Sequence, residues 1–594
     1  MKRVSDAYRE SMAGALRNRS YIKIVFGNVD PAAAAAAELS GEMESYGEFD
    51  TVPYVYNYGE TYATLELNAW DLGGKKAIIP DMKVKNEGYV NKNLTDGNGV
   101  YGDQAAVVSC WFHDKKGQLE QHTFPGLTLV FDTRRNEWPT ELEITFYDEK
   151  MGKEIVKVNP TGTRCTVSKH GVVCVGFEIA YKKHLPHRRA RLEQILFGLE
   201  HTYTNKDIMS VKQSHDIDPL SRRLPKESFS FTIIDYEHNY DPDNPEGIYR
   251  YVDEKSPISF QFGYDLPDGT IEWLKPDKYI MNSKPSAANN KTTFKGTGLV
   301  GSMTDKFYKS KLGRKSFYDM AVEILMDAGL TLTSSGDHPW EIDPALKSMY
   351  TTAVLPIDTH MNCLQLIAHA CRCKLYSDDD NVIHIAPFVI PETGATPDFT
   401  MDFNTIKWQS QSISKIDALK AVNVSKYSYT PSAETSTIFE ETTTETTLHV
   451  EFSGLAQDIQ IAVAGGTLES SVIYGRAADL VLSSGTKTVT ITGKTLAENT
   501  VVVSYPVAVS GEIDEEKNPL LTDDSMCQAL AEHVIAYLTL RNTYDLQYRG
   551  NPELETGDLV ALQTQYTNNM KALVLTNELT FNGSLSGKVK VKGL

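Results

Sequence analysis

Between residues 208 and 298 apolar side chains recur at every second position: Phe229, Phe231 and Ile233, then Ile258, Phe260, Phe262 and Tyr264. A period of two is what a strand with one buried face requires, because successive side chains point to opposite faces of a sheet. Between these runs lies Asp241-Pro-Asp-Asn-Pro-Glu-Gly247. Its prolines cannot donate to a ladder and its glycine tolerates a positive φ, so it reads as a surface loop. Leu266-Pro-Asp-Gly269 carries the Asp-Gly pair of a tight hairpin. The stretch is predicted to be an antiparallel β unit, a barrel or a strongly curled sheet.

A chain of 594 residues is too long for one core and divides into several domains. With 41% hydrophobic residues, 30 Tyr and 21 Phe, folded β-rich domains are expected rather than global disorder. The segment 1–20 lacks the apolar centre of a secretory signal, and no run approaches the length of a membrane span. The expectation is a protein made in a cytoplasm. The 7 cysteines, Cys110, Cys165, Cys174, Cys363, Cys371, Cys373 and Cys527, are too sparse for a disulfide framework. A net charge of −19 argues against wrapping nucleic acid and suits a surface along which DNA slides without sticking.

Residues 1–18 are predicted to hold a short helix, and Tyr21–Phe26 a strand. Asp30-Pro31 is a helix start, and the alanines Ala32 to Ala37 carry that helix to Ser40-Gly41 as a stalk into an inserted domain over 42–200. The insert shows short strands at Leu127–Phe131, Glu141–Tyr147 and Val172–Phe177, the pattern of a β sandwich. Further on the period changes. Ser316 to Asp319 opens a helix with Phe317, Ala321, Ile324, Leu325 and Ala328 on one face and Gly329 as its stop. A second helix, Thr359 to Cys371, leads into a hairpin turned at Ser377–Asn381. Residues 432–510, rich in Thr, Ser, Gly and Val, read as a second small sandwich. A third helix, Met526 to Leu540, precedes the closing strands.

Several residue groups invite a chemical reading. His369, Cys371, Cys373 and His384 lack the paired knuckles of structural zinc. Asp378-Asp-Asp380 lacks the spacing of a calcium loop. His184-Leu-Pro-His187 has a proline where a helical metal pair would need continuity. Glu137-Trp138 and Glu272-Trp273 place a carboxylate beside an indole, but no spacing singles out an acid and a base. No nucleophile elbow, phosphate loop or dinucleotide fingerprint is present. The expectation is therefore no catalytic residue, no metal and no cofactor.

The order of "FSFTIID", the Tyr-Asp-Pro loop, "ISFQFGY" and "DGTIEW" resembles the first β domain of phage tail hub proteins, the tail-associated (Tal-type) proteins, which are similar to the baseplate hub of contractile-tailed phages. "LQLIAHACRCKLYSDDDNVIHI" resembles their small α/β domain, and "RGNPELETGDLV" with "LTFNGSLSG" their closing barrel. "LTLVFD", "WPTELEITFYD" and "RRARLEQILFG" resemble galactose-binding-like jelly rolls of the discoidin type.

The resemblance implies a mainly β multidomain fold: two tube-like β barrels, an α/β lobe between them and two inserted β sandwiches. The expected domains are 1–41 with 201–300, the first hub barrel; 42–200, the jelly-roll insert; 301–395, the α/β domain; 396–431 with 511–594, the second barrel; and 432–510, the small sandwich. It implies a structural tail-tip or baseplate hub of a phage or phage-like particle, located in the virion and assembled in the host bacterial cytoplasm. Three copies would form a ring that caps the tail tube, nucleates tail assembly and leaves a channel. Implied partners are the tail tube and distal tail proteins, a tape measure protein, a spike, receptor-binding or lytic protein, and DNA in transit only. Because the chain stops at Leu594 after the last barrel, lytic activity is expected on another polypeptide. The jelly-roll insert would dock a neighbour or bind a host surface glycan, with Trp70, Trp111 and Trp138 as candidate stacking rings. The alternatives are a cell-surface glycan-binding protein and a glycoside hydrolase.

Overall fold

The computed structural model describes residues 1–14, 17–29, 31–44, 47, 49, 52, 88–102, 106–114, 116–133, 135–245, 247–252, 254–330, 339–379, 381–392 and 394–594. The fold is mainly β and multidomain. Its centre is a 14-stranded sheet that draws strands from both ends of the chain. Along it run Gly198–Thr204, Ser20–Val29, Pro257–Asp265, Asp277–Ala288, Lys291–Thr297, Lys226–Ile234, Ile208–Asp216, Met570–Phe581, Leu585–Gly593, Asn542–Tyr548 and Ser412–Lys415. The two halves are fused where Ile208–Asp216 pairs antiparallel with Met570–Phe581, from Val211 opposite Phe581 to Asp216 opposite Thr576.

One core lies under both halves. It joins Ile24, Phe229, Phe260 and Phe294 from the first to Tyr544, Leu562, Val574 and Val591 from the second. Phe229 stacks on Tyr279 (4.6 Å) and Phe231 on Phe294 (4.6 Å), the rings that the period-two pattern points inward. The expected Leu266–Gly269 turn is present, with Gly269 at φ 85°.

The insert places two sheets over its own core. A 5-stranded sheet runs Ala37–Gly41, Ala106–Phe112, Gly176–Lys183, Glu141–Tyr147, Lys153–Val158, and a 3-stranded one runs Gln194–Leu196, His122–Val130, Arg164–Cys174. Phe112, Phe124, Phe177 and Phe197 meet between them. Two expectations differ here. The alanine helix is only Pro31–Ala36, Ala33 and Ala34 are buried in the insert core, and Ala37–Gly41 is already a strand of the insert. Pairing with Ala106–Phe112 satisfies the backbone that a longer helix would have satisfied internally. The alanine run is thus part of the insert's packing and no outside stalk. Val172–Phe177 is broken at Val175, which separates Arg164–Cys174 from Gly176–Lys183, strands of different sheets.

The helices of the lobe begin where expected, each behind a capping side chain. The Ser316 Oγ accepts from the Asp319 N–H (3.1 Å) at the head of Phe317–Asp327, and Thr359 caps His360–Ala370. The hairpin is Cys373–Ser377 with Ile383–Pro387. Leu419–Pro431, expected in the second barrel, pairs instead with the 20-residue strand Lys487–Pro506, and Glu512–Lys517, expected there too, pairs with the other edge of Leu419–Pro431. Helix Asp524–Leu538 packs on them, and Val422, Val424, Leu530 and Val534 share the lobe core with Ile324 and Ile367. The first part of Lys487–Pro506 belongs to the small sandwich, whose core is Val450, Leu480, Val489 and Ile491.

Candidate assembly surface

The large sheet has two unlike ends. At one, Gly198–Thr204 abuts the insert, where the Thr128 Oγ1 donates to the Gly198 carbonyl (3.0 Å). At the other, Ser412–Lys415 pairs only with Asn542–Tyr548, and no described strand lies on its outer side. All four of its side chains are exposed. An open edge offers unpaired N–H and C=O groups to any incoming strand.

Large apolar side chains, three of them aromatic, crowd this bare end. Trp408 is 83% exposed, Tyr566 90%, Ile413 61% and Phe403 48%. Hydrogen bonds hold them in one corner. The Phe403 N–H donates to the Gln563 Oε1 (2.9 Å), the Gln411 Nε2 to the Gln563 carbonyl (2.8 Å), and the Lys407 N–H to the Gln547 carbonyl (2.9 Å). Thr564 closes the turn carrying Tyr566 by accepting from the Tyr566 and Thr567 N–H groups. Trp and Tyr on a fixed frame beside an unpaired edge are the groups that carry most energy in protein interfaces. Period and spacing could not find this corner, because its residues come from 403–413 and 566.

The candidate stacking rings are not brought together. Trp70 lies outside the described residues. Trp111 sits on the outer face of the 5-stranded sheet, against Tyr147 (ring centroids 5.0 Å) and over Gly176, its cross-strand partner. Trp138 packs against the insert core, beyond the far end of Glu141–Tyr147. Seven strand residues separate the two positions, about 20 Å.

The other singled-out groups have structural partners. His369 Nε2 meets Glu516 (2.9 Å) and its Nδ1 meets Asn518 (3.0 Å), while the Arg222 Nε donates to Glu516 (2.8 Å). Burial pushes the Cys371 thiol well up and that of Cys373 up to about 12. His384 bonds Asp378 (3.0 Å), which also accepts from the Val382 N–H; Asp380 is outside the described residues. His184 is held down to about 4 by burial and by Arg191 and Arg188. Both carboxylate oxygens of Glu137 accept from the Arg188 Nε (3.0 and 2.9 Å), and Glu272 accepts from the Ser5 N–H (2.8 Å).

A second cluster was not foreseen. Lys2 is buried between Asp277 of the first half and Asp379 of the lobe (3.3 Å to the latter). Its N–H donates to the Glu553 carbonyl of the second half (2.9 Å). Burial and the neighbouring Asp277 push Asp379 up to about 7 against the pull of Lys2. Burial also works against Asp277, yet Lys2 and His215 outweigh it and hold that carboxyl below its ordinary value.

These features define a mainly β multidomain protein built round one open-ended curled sheet. No protein-family profile and no curated protein sequence matches it. Solved structures do. The tail protein from Neisseria meningitidis MC58 is 10% identical, with 66% of this chain and 93% of that one covered and a TM-score of 0.37. Prophage tail protein gp18 from Listeria monocytogenes EGD-e is 8% identical, covering 66% and 91%, with a TM-score of 0.34. The E. coli c3393 protein, a type VI secretion component with structural similarity to T4 tail proteins gp27 and gp5, is 8% identical, covering 65% and 74%, with a TM-score of 0.30.

Proposed function

We propose that the chain is a structural hub subunit of a phage or phage-like tail tip, assembling through the bare end of its large sheet. The observation that carries this is the pairing of an open strand, Ser412–Lys415, with the exposed Trp408, Tyr566 and Phe403 beside it. An unpaired edge flanked by large rings is a liability in a monomer and a joint in an assembly. The other end of the sheet is taken up by the insert, so neighbouring copies meet through unlike surfaces. Such a head-to-tail contact closes a ring where its rotation closes and runs on as a filament where it does not, and the sequence resemblance favours the ring. Three copies in that ring, a tail tube above it and a channel for DNA or a tape measure protein are the finer form of the proposal, and the sequence resemblance motivates them. The insert would face outward as a docking or host-glycan module.

The test is the mass of the purified full chain in solution, with electron microscopy of the same sample. A threefold ring is expected. Trp408→Ala with Tyr566→Ala should raise its dissociation constant at least a hundredfold, about 3 kcal/mol, while leaving the fold unchanged. A strict monomer at high concentration, or a ring indifferent to both substitutions, would overturn the reading.

A further inference from the structure

The sheet face opposite the core is basic, although the chain as a whole carries −19. Over these stretches burial alternates so that Lys588, Lys590, Lys212, Lys226 and Lys295 point away from the core, whereas Lys592, next along its strand, is buried against Tyr537 of the lobe and closes the face on that side. The register sets them in rows. Lys590 lies between Asp545 and Thr576, in the row that continues through Asp216 to Lys226. Lys588 is opposite Glu578, which is opposite Ser214. Lys212 is opposite Ser230, which is opposite Lys295. The carboxylates in these rows are Asp545, Asp216 and Glu578. Asp216 is engaged by Arg223 (2.7 Å), and Glu578 by Lys212 (3.0 Å) and Lys588 (3.9 Å).

Between the lysines the face is lined by hydroxyls: Ser214, Ser228, Ser230, Thr576 and Thr580. A protein interface needs apolar or aromatic anchors at its centre, and these rows have none. Lysines and hydroxyls are, by contrast, the groups that contact phosphate oxygens without reading bases. From Leu585–Gly593 to Lys291–Thr297 the lysines spread over five adjacent strands, about 19 Å at the usual strand spacing. That breadth suits the two phosphate strands of a duplex better than a single polyphosphate chain.

We propose that this face contacts the backbone of double-stranded DNA, weakly and without regard to sequence. The inference deepens the transit role proposed above and rests on it. It also relocates the electrostatics: an acidic chain does not imply an acidic surface wherever DNA passes. A few lysines give grip that salt and competing hydroxyl–water bonds keep reversible.

The experiment measures binding of the full chain to a fluorescent random-sequence duplex across a salt series, with the mass of the same sample recorded. Affinity in the micromolar range or weaker, falling steeply with salt, is expected. Replacing Lys212, Lys588 and Lys590 by Glu should weaken it at least tenfold at low salt and flatten the salt slope. Lys150→Glu, in an exposed turn of the insert, should leave it unchanged. No binding at low salt, equal loss with Lys150→Glu, or equal competition by polyglutamate or by a polyol-phosphate polymer at matched charge would each overturn the proposal. The mass readout separates this outcome from the assembly reading: a ring that ignores DNA defeats only the duplex contact, and a monomer defeats only the hub.

Discussion

Trp111 lies across Gly176, Trp273 across Gly263 and Tyr548 across Gly587, each ring over the glycine directly opposite it on the neighbouring strand. A glycine weakens a strand by exposing backbone, and a ring laid on it restores the cover. This accounts for Trp111 without a ligand, since Gly176 occupies one side of its indole and Tyr147 flanks it. A side chain at 176 would meet the indole and, at 2.7 Å, the Cys110 carbonyl. Gly176→Val is therefore expected to destabilise the insert by about 2 kcal/mol. Thermal unfolding with tryptophan emission checks it: a lower melting point with a red shift from the expelled indole. The pairing is invisible in the linear chain, because residues 111 and 176 become neighbours only through the register of two strands 65 positions apart.

At the scale of elements, the N-terminal segment acts as a strap over the junction of both sheet halves and the lobe. Helix Asp6–Ala13 buries Tyr8 and Met12 against Tyr264 and Leu274 of the first half. Tyr8 also donates to Asn551 (3.3 Å) and Arg9 to Glu553 (2.7 Å) in the second. Lys2 closes the strap onto Asp277 and Asp379. Lys2→Ala leaves two carboxyls buried without their cation and should cost about 3 kcal/mol, measured by denaturant unfolding.

The pH dependence follows from Asp379. Its folded-state pKa is raised, to about 7, so the folded protein holds this proton more tightly than the unfolded chain. The stability it contributes is complete below its ordinary value and is lost as pH rises toward 7. Glu227, raised by burial, acts in the same direction. Asp379→Asn should therefore raise the melting temperature at pH 8 and flatten its fall between pH 5 and 8, as calorimetry across that range would read. An unchanged slope would assign the dependence elsewhere. The helices of the lobe were legible at this scale, because Ser316 and Thr359 are local signals that their own next turn answers. The strap was not. A lone Lys2 gains meaning only when Asp277 and Asp379 arrive from distant positions in the chain.

Across the whole molecule, the division of cores sets which parts stand or fall together. The alternation at Phe229–Ile233 and Ile258–Tyr264 correctly marked a curled β unit, but nothing local announced that Ile208–Asp216 would pair with Met570–Phe581 and fuse both ends of the chain into one sheet. Nor could composition show that Leu419–Pro431 would leave the sheet for the lobe, since its apolar residues suit either side. Once formed, the fused sheet has a single core running from Ile22 to Val591, whereas the insert and the small sandwich each enclose their own. Unfolding should accordingly separate into more than one calorimetric transition. Phe177, fully buried among Phe112, Phe146 and Phe197, belongs to the insert alone. Phe229, against Phe231, Phe260 and Tyr279, belongs to the sheet. Either residue replaced by Ala should lose about 3–5 kcal/mol. Phe177→Ala is expected to lower only the insert's transition, and Phe229→Ala only that of the sheet. Movement of both transitions by Phe177→Ala would mean that the insert folds as part of the hub and could not serve as an exchangeable outward module.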